Sequence, residues 1–101
     1  MAIELKRKPS AEEVEQICMA AEEAARKHLL SRVSLKRVSD FDVTVEALGD
    51  KPLILNVGIS IELTSGNEDL EPLVDEATDL AFTAAETKAR ELNLWVDTTF
   101  S

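Results

Sequence analysis

One cysteine and one histidine are the strongest nucleophile and base in this sequence, which contains no tyrosine. A Cys–His dyad would need Cys18 and His28, which the surrounding pattern places ten residues apart on one helix. Because a helix rises about 1.5 Å per residue, the two side chains lie ~15 Å apart, too far for a hydrogen bond. We predict instead that Cys18 is a buried structural thiol and that His28 borders the core.

Carboxylates are the other groups suited to chemistry, and the chain has 20 of them. Glu71, Asp75 and Asp79 are spaced i, i+4, i+8, which places an acidic row on one face of a helix. A solvated face is the simpler interpretation of this row, and a surface for a basic partner is the alternative. Residues 66–69 lack the Asp-x-Asp-x-Asp-Gly pattern of calcium loops and indicate no more than a helix cap.

Motifs for metals and nucleotides are missing from the sequence. A zinc site needs several Cys or His ligands, and Gly49, Gly58 and Gly66 form neither a P-loop nor a dinucleotide motif. The sequence therefore predicts no catalytic residue, no cofactor-binding residue and no metal ligand, in a protein that is not an enzyme. A metal- or ligand-dependent enzyme that uses the carboxylates of the second helix is the rival hypothesis.

The charge of the chain argues against direct nucleic-acid binding. Lys and Arg number 11 against 20 Asp and Glu, a net charge of −9, whereas binding to phosphates relies on a cationic surface. The first ten residues carry an excess of +2 and are interpreted as a solvated tail. A weak RNA-binding accessory is the alternative, and it would act through five cations: Lys6, Arg7, Lys8, Lys36 and Arg37.

The first helix is predicted to begin at Ser10 and to end near residues 30–32. Pro9 interrupts the preceding segment, and Ser10 with Glu13 matches a capping box, in which each side chain accepts a backbone N–H. The following stretch is rich in Ala and Glu, which favour helices. Its apolar residues recur at the spacing of one buried helix face: Val14, Ile17, Cys18, Ala21, Ala25 and Leu29.

Alternating side chains predict a β-hairpin in the middle of the chain. Residues 40–48 alternate, and Leu53–Leu63 places every odd-numbered aliphatic residue on one face. Residues 49–52 supply turn chemistry between them. Gly58, within the second strand, indicates a bulge or a close backbone approach. Residues 2–6 alternate briefly and predict a short edge strand.

A second helix is predicted from its first turn at Pro72, with Asp69 or Glu71 as the cap and Asn93 as the stop. Its apolar residues again follow a helical spacing: Leu73, Val74, Ala77, Leu80, Ala81, Ala84 and Leu92. In the tail beyond it, Trp95 and Phe100 either fold back on the core or anchor a partner.

These elements predict a two-layer α+β fold in the order (β)-α-β-β-α, with two helices on one face of a small antiparallel sheet. We expect one domain, 1–101, with residues 1–9 as a short strand or basic arm and residues 93–101 as a tail. So small a sheet exposes its edges, and pairing with another chain would cover them. A homodimer or a heteromeric protein partner is therefore expected.

Cysteine use and hydropathy predict a cytoplasmic protein without a membrane partner. Cys18 is the only cysteine, so no disulfide can form within the chain. No apolar run approaches the ~20 residues that span a bilayer. Glu4 and the cations at residues 6–8 interrupt any signal-peptide core.

Three stretches carry a resemblance to a known family: residues 39–45, the aliphatic strand Leu53–Leu63, and residues 73–77. Together they resemble a family of short archaeal proteins of unknown function, over roughly residues 10–92. Members of that family are often encoded near the prefoldin beta subunit and translation genes. The resemblance therefore implies a link to translation or chaperone function.

The strand-helix-strand-strand-helix order also resembles the small dimerisation subunit of the KEOPS complex, which makes the threonylcarbamoyl modification of adenosine in certain tRNAs. That subunit is not catalytic; it dimerises and docks on the catalytic subunit. The resemblance implies a non-enzymatic accessory subunit of a KEOPS-like assembly. The first helix is longer here and no docking motif aligns, so the resemblance assigns no interface residue.

Overall fold

The computed structural model describes residues 2–49, 52–64 and 70–94. Within them the three strands form one antiparallel sheet in the order β1-β3-β2, and both helices pack against it. The predicted α+β fold and its element order are therefore confirmed. The elements are β1 (Ala2–Ile3), α1 (Ala11–Arg32), a 3₁₀ turn (Leu35–Arg37), β2 (Val38–Leu48), β3 (Leu53–Leu63) and α2 (Glu71–Glu91).

α1 begins where the predicted capping box places it. The Ser10 backbone is extended and its Oγ accepts the N–H of Glu13 at 3.2 Å, while the Glu13 carboxylate accepts the N–H of Ser10 at 2.9 Å. Both bonds satisfy backbone donors that the first turn leaves without a helical partner. The buried stripe of the helix consists of Ile17, Ala21, Ala25 and Leu29.

β2 and β3 pair along almost their whole length, from Leu48 opposite Ile54 to Val38 opposite Leu63. β2 begins at Val38 and not at the predicted residue 40, because the register shifts between Val38 and Asp40 and breaks the strict alternation. At Gly58 the strand is regular. A Cβ there would lie 3.0 Å from Oγ1 of Thr44, so the close neighbour of Gly58 is a side chain, and neither the predicted bulge nor the predicted close backbone approach is found.

α2 begins without the predicted side-chain cap. Its N-cap is Leu70, whose backbone is helical and whose side chain makes no capping bond, so Glu71 does not act as the cap; Asp69 lies outside the described residues. Pro72 occupies the first turn, where its missing N–H costs no hydrogen bond. Asn93 follows the helix with φ of 61° and confirms the predicted stop.

Alanine dominates the contact of the helices with the core. The four buried residues of α2 are all alanines at i, i+4 spacing: Ala77, Ala81, Ala85 and Ala89. Ala21 and Ala25 of α1 belong to the same buried cluster, together with Leu53 and Leu55 of β3. Because alanine projects only a methyl group, the two helices and the sheet approach one another closely.

The segment before α1 is fixed to the body of the protein. The guanidinium of Arg7 donates to both carboxylate oxygens of Glu13, at 2.9 and 2.7 Å, and to the Leu92 carbonyl at 3.1 Å. The N–H of Lys6 donates to the Leu94 carbonyl at 2.8 Å. We call these contacts the N-terminal clasp. The prediction of a solvated tail is therefore wrong, because the carboxylate at the start of α1 is a bidentate partner for Arg7.

Candidate functional site

Cys18 and His28 both lie on α1 and do not meet. Cys18 packs against the core but is only half-buried, and not fully buried as predicted. Burial, followed by the nearby charge of Glu22, raises the pKa of the Cys18 thiol. A raised pKa reduces the thiolate population, so this cysteine is a poor nucleophile at neutral pH.

His28 lies at the edge of the core, as predicted, with 13% of its side chain exposed. Its Nε2 is 3.3 Å from Oε2 of Glu76 on α2, without the geometry of a hydrogen bond. The contact joins the end of α1 to the beginning of α2. Glu76 is 58% exposed, so the pair lies where the two helices meet solvent.

The five cations considered for RNA binding fall into two separate groups. Lys6, Arg7 and Lys8 precede α1, whereas Lys36 and Arg37 follow it. The 22 residues of α1 separate the groups by about 33 Å at the helical rise. Arg7 already pairs with Glu13. The structure therefore does not assemble these cations into one phosphate-binding surface.

The acidic row of Glu71, Asp75 and Asp79 lies on the exposed side of α2. Among the described residues, no group of three His, Cys, Asp or Glu side chains is placed to hold a metal ion. The predicted loop cluster at residues 66–69 and the aromatic side chains of Trp95 and Phe100 lie outside the described residues. No described helix is both long and apolar enough to cross a bilayer.

Two shallow grooves lie on the exposed side of α1, beside Met19. Their volumes are about 230 and 220 Å³, below the range of roughly 300–1,000 Å³ that is usual for small-molecule sites. Both are lined mainly by charged or amphipathic side chains, among them Glu23, Arg26 and Lys88. Neither groove has the enclosed apolar character of a substrate pocket.

The open edges of the sheet are the strongest candidate site. β2 lies at one edge, and none of the described residues forms a strand beyond it. In the described residues, β1 pairs with the far side of β3 at Leu53 and Ile54. From residue 57 to residue 63, no strand in the described parts of the chain pairs with that side of β3. Backbone groups at such edges can pair with another chain.

Three hydrogen bonds show which way the backbone of β3 faces. The carbonyls of Gly58 and Glu62 accept bonds from Thr44 and Ser39 at 3.3 and 3.2 Å, and the N–H of Thr64 donates to Arg37 at 2.7 Å. Even-numbered residues of β3 therefore direct their polar groups toward β2. Because alternate residues face opposite sides, the odd-numbered residues at 57–63 direct theirs to the open side.

The inward face of the sheet is covered unevenly along β3. Leu53 and Leu55, near β1, are fully buried. Further along, the inward side chains are only partly buried, although they belong to the same aliphatic row: Val57, Ile59, Ile61 and Leu63. Apolar surface and open backbone groups therefore lie together on one half of β3.

These features define the chain as a two-layer α+β protein with two helices on one face of a three-stranded antiparallel sheet. It belongs to the DUF3194 family, described as a protein of unknown function, whose family model matches residues 6–88. No curated protein matches the chain.

Two solved structures have the same fold. One is the solution structure of the hypothetical protein mth677 from Methanothermobacter thermautotrophicus, with 25% identity and a TM-score of 0.69, covering 84% of this chain and 93% of that one. The other is a crystal structure from Thermococcus onnurineus NA1, with 26% identity and a TM-score of 0.73, covering 91% and 89%. The predicted resemblance to archaeal proteins of unknown function agrees with both matches.

Proposed function

We propose that this protein is a non-enzymatic interaction protein that binds a protein partner, or a second copy of itself, through an open edge of its sheet. The observation that carries the proposal is the half of β3 where open backbone groups adjoin partly buried apolar side chains. An added strand would satisfy those backbone groups and would bury the apolar side chains at the same time.

A finer form of the proposal makes the partner a KEOPS-like tRNA-modification assembly in the cytoplasm. Its support is the strand-helix-strand-strand-helix order, which resembles the small dimerisation subunit of that complex. The separation of the cations at the two ends of α1 favours a contact with a protein subunit over direct contact with the tRNA.

Affinity capture from an archaeal lysate tests this function when the tagged protein is compared with two edge variants. Ile59→Pro on β3 and Val45→Pro on β2 each remove an N–H that faces an open edge, so neither breaks a bond between β2 and β3. Both residues are half-buried aliphatic side chains on the inward face. The variants therefore form a matched pair, and circular dichroism checks that each retains its fold.

The expected result is a set of KEOPS subunits captured by the wild-type chain and lost with one edge variant. Prefoldin or ribosomal proteins captured in the same edge-dependent way would keep the interaction function and replace the KEOPS assignment with chaperone or translation function. Capture that both variants retain would refute the use of an edge. A chain that stays monomeric and captures nothing would refute the proposed function itself.

A further inference from the structure

We infer that the open side of β3 pairs with β3 of a second copy of this chain, antiparallel around a two-fold axis at Ser60. The inference rests on the proposed function and adds the strand, the partner and the register. Two three-stranded sheets would then join into one continuous sheet, with the helices of both copies on the same face.

The two open edges differ in the charges that they carry. On the outward face, β2 bears Asp40, Asp42 and Glu46, all exposed, whereas β3 bears only Glu62 among its outward residues. Two copies joined through β2 would bring six carboxylates to one seam, and like charges across neighbouring strands destabilise a sheet. Two copies joined through β3 would bring only two carboxylates to the seam, one Glu62 from each copy. The charges therefore protect β2 and leave β3 available.

When β3 pairs with β3 of a second copy, its outward residues lie opposite residues that they do not repel. With Ser60 opposite Ser60 of the second copy, Gly58 lies opposite Glu62 of that copy. The two Glu62 carboxylates are thereby kept apart, and each has the smallest residue as its neighbour. No unlike sequence is needed to complement this strand, which favours a second copy over a different protein.

The inward residues complete the same register. Val57 lies opposite Leu63 of the second copy, and Ile59 lies opposite Ile61, so every facing pair on this side is aliphatic. These are the odd-numbered residues whose N–H and C=O groups face the open side. The two-fold axis repeats each of these two pairs, which gives four pairs in all. Each pair can therefore exchange backbone hydrogen bonds while its half-buried side chains become covered.

The length of the open edge also fits this register. β1 occupies β3 at Leu53 and Ile54, and the proposed pairing uses residues 57–63 of each copy. The second strand therefore begins beyond the last residue that β1 covers. No strand in the described parts of the chain has to be displaced from residues 57–63 for the two copies to pair.

Disulfide trapping tests the register directly. In a Cys18→Ala background, Ser60→Cys would place two thiols across the axis in a non-hydrogen-bonded pair, where Cα atoms lie about 4.5 Å apart, within the range of a disulfide. Thr44→Cys is the matched control, because Thr44 is also a small outward hydroxyl residue but lies on β2. Sedimentation of the wild-type chain across a dilution series measures its mass independently.

The expected result is a mass of twice the 11.1 kDa monomer and rapid oxidation of Ser60→Cys to a covalent dimer, with little from Thr44→Cys. Ile59→Pro should return the chain to the monomer mass, and Val45→Pro should not. Cross-linking through Thr44→Cys alone would overturn the choice of strand and leave the interaction function intact.

A wild-type chain that remains monomeric at every concentration and forms no Ser60→Cys cross-link would overturn the inference. The proposed function would then still be decided by capture of a different protein. A chain shortened to end at Leu94 tests whether residues 95–101 themselves occupy the open side of β3. If the shortened chain dimerises and the full chain does not, residues 95–101 compete for the edge and the second copy is not its natural occupant.

Discussion

The alanine-lined core makes Ala21→Leu a sharp test of the packing. Ala21 is fully buried on α1, and leucine adds three carbon atoms where the buried residues of α2 are alanines along its whole length. Overpacking of a close-packed core costs roughly 1–3 kcal/mol. Since each kcal/mol shifts Tm by about 4–8 °C in a domain of this size, we expect Tm to fall by roughly 4–24 °C.

Ala20→Leu is the matched control for this prediction. Ala20 is the preceding residue of the same helix, is only half-buried and lines the open groove of about 220 Å³ beside Met19, so leucine has room there. Urea unfolding followed by circular dichroism gives both free energies of unfolding. If Ala21→Leu is as stable as Ala20→Leu with an unchanged m-value, the helices are not in tight contact and the reasoning fails.

Three further predictions concern the core and two titrating groups. Leu55→Ala should lower the free energy of unfolding by about 2–5 kcal/mol, because Leu55 is fully buried; Ile54→Ala, on the outward face of the same strand, should cost about 1 kcal/mol or less, and equal losses would contradict the assigned faces. Hydrogen bonds from Arg7 lower the pKa of Glu13 from 4.5 to about 2. The ionised Glu13 carboxylate therefore stabilises the folded chain fully above pH 4.5, and this stabilisation is lost as the pH falls to about 2. An NMR titration that gives Glu13 an ordinary pKa would refute the clasp. Cys18, whose pKa is raised, should react with a thiol reagent more slowly at neutral pH than a free cysteine, and equal rates would contradict its partial burial.

The long elements follow from local patterns and were therefore accessible from the sequence. A capping box fixes the start of α1, and strict alternation fixes β3 and its partner strand, because each pattern reports which side chains face the core. The start of β2 was placed two residues late, since the irregular register near Asp40 breaks the alternation. The cap of α2 was also misassigned, because Leu70 occupies the N-cap position and makes no side-chain hydrogen bond to the first turn.

The candidate site depends on long-range pairing, which periodicity does not encode. Alternation predicts that a sheet has edges, yet it cannot tell that β1 joins β3 and leaves β2 at the other edge. The Arg7–Glu13 pair was missed for a similar reason. A carboxylate three residues into a helix that follows a basic segment is the signal that could have indicated it.

The N-terminal clasp has a consequence for synthesis of the chain on the ribosome. Arg7 and its acceptor at Leu92 are 85 residues apart, so at about 5–20 residues per second the acceptor is made roughly 4–17 s after Arg7. Helices and hairpins form in microseconds, far sooner than this interval ends. The hairpin of β2 and β3 therefore has time to form before Leu92 is made, and closure of the clasp at Leu92 and Leu94 is a late event in the folding of the nascent chain.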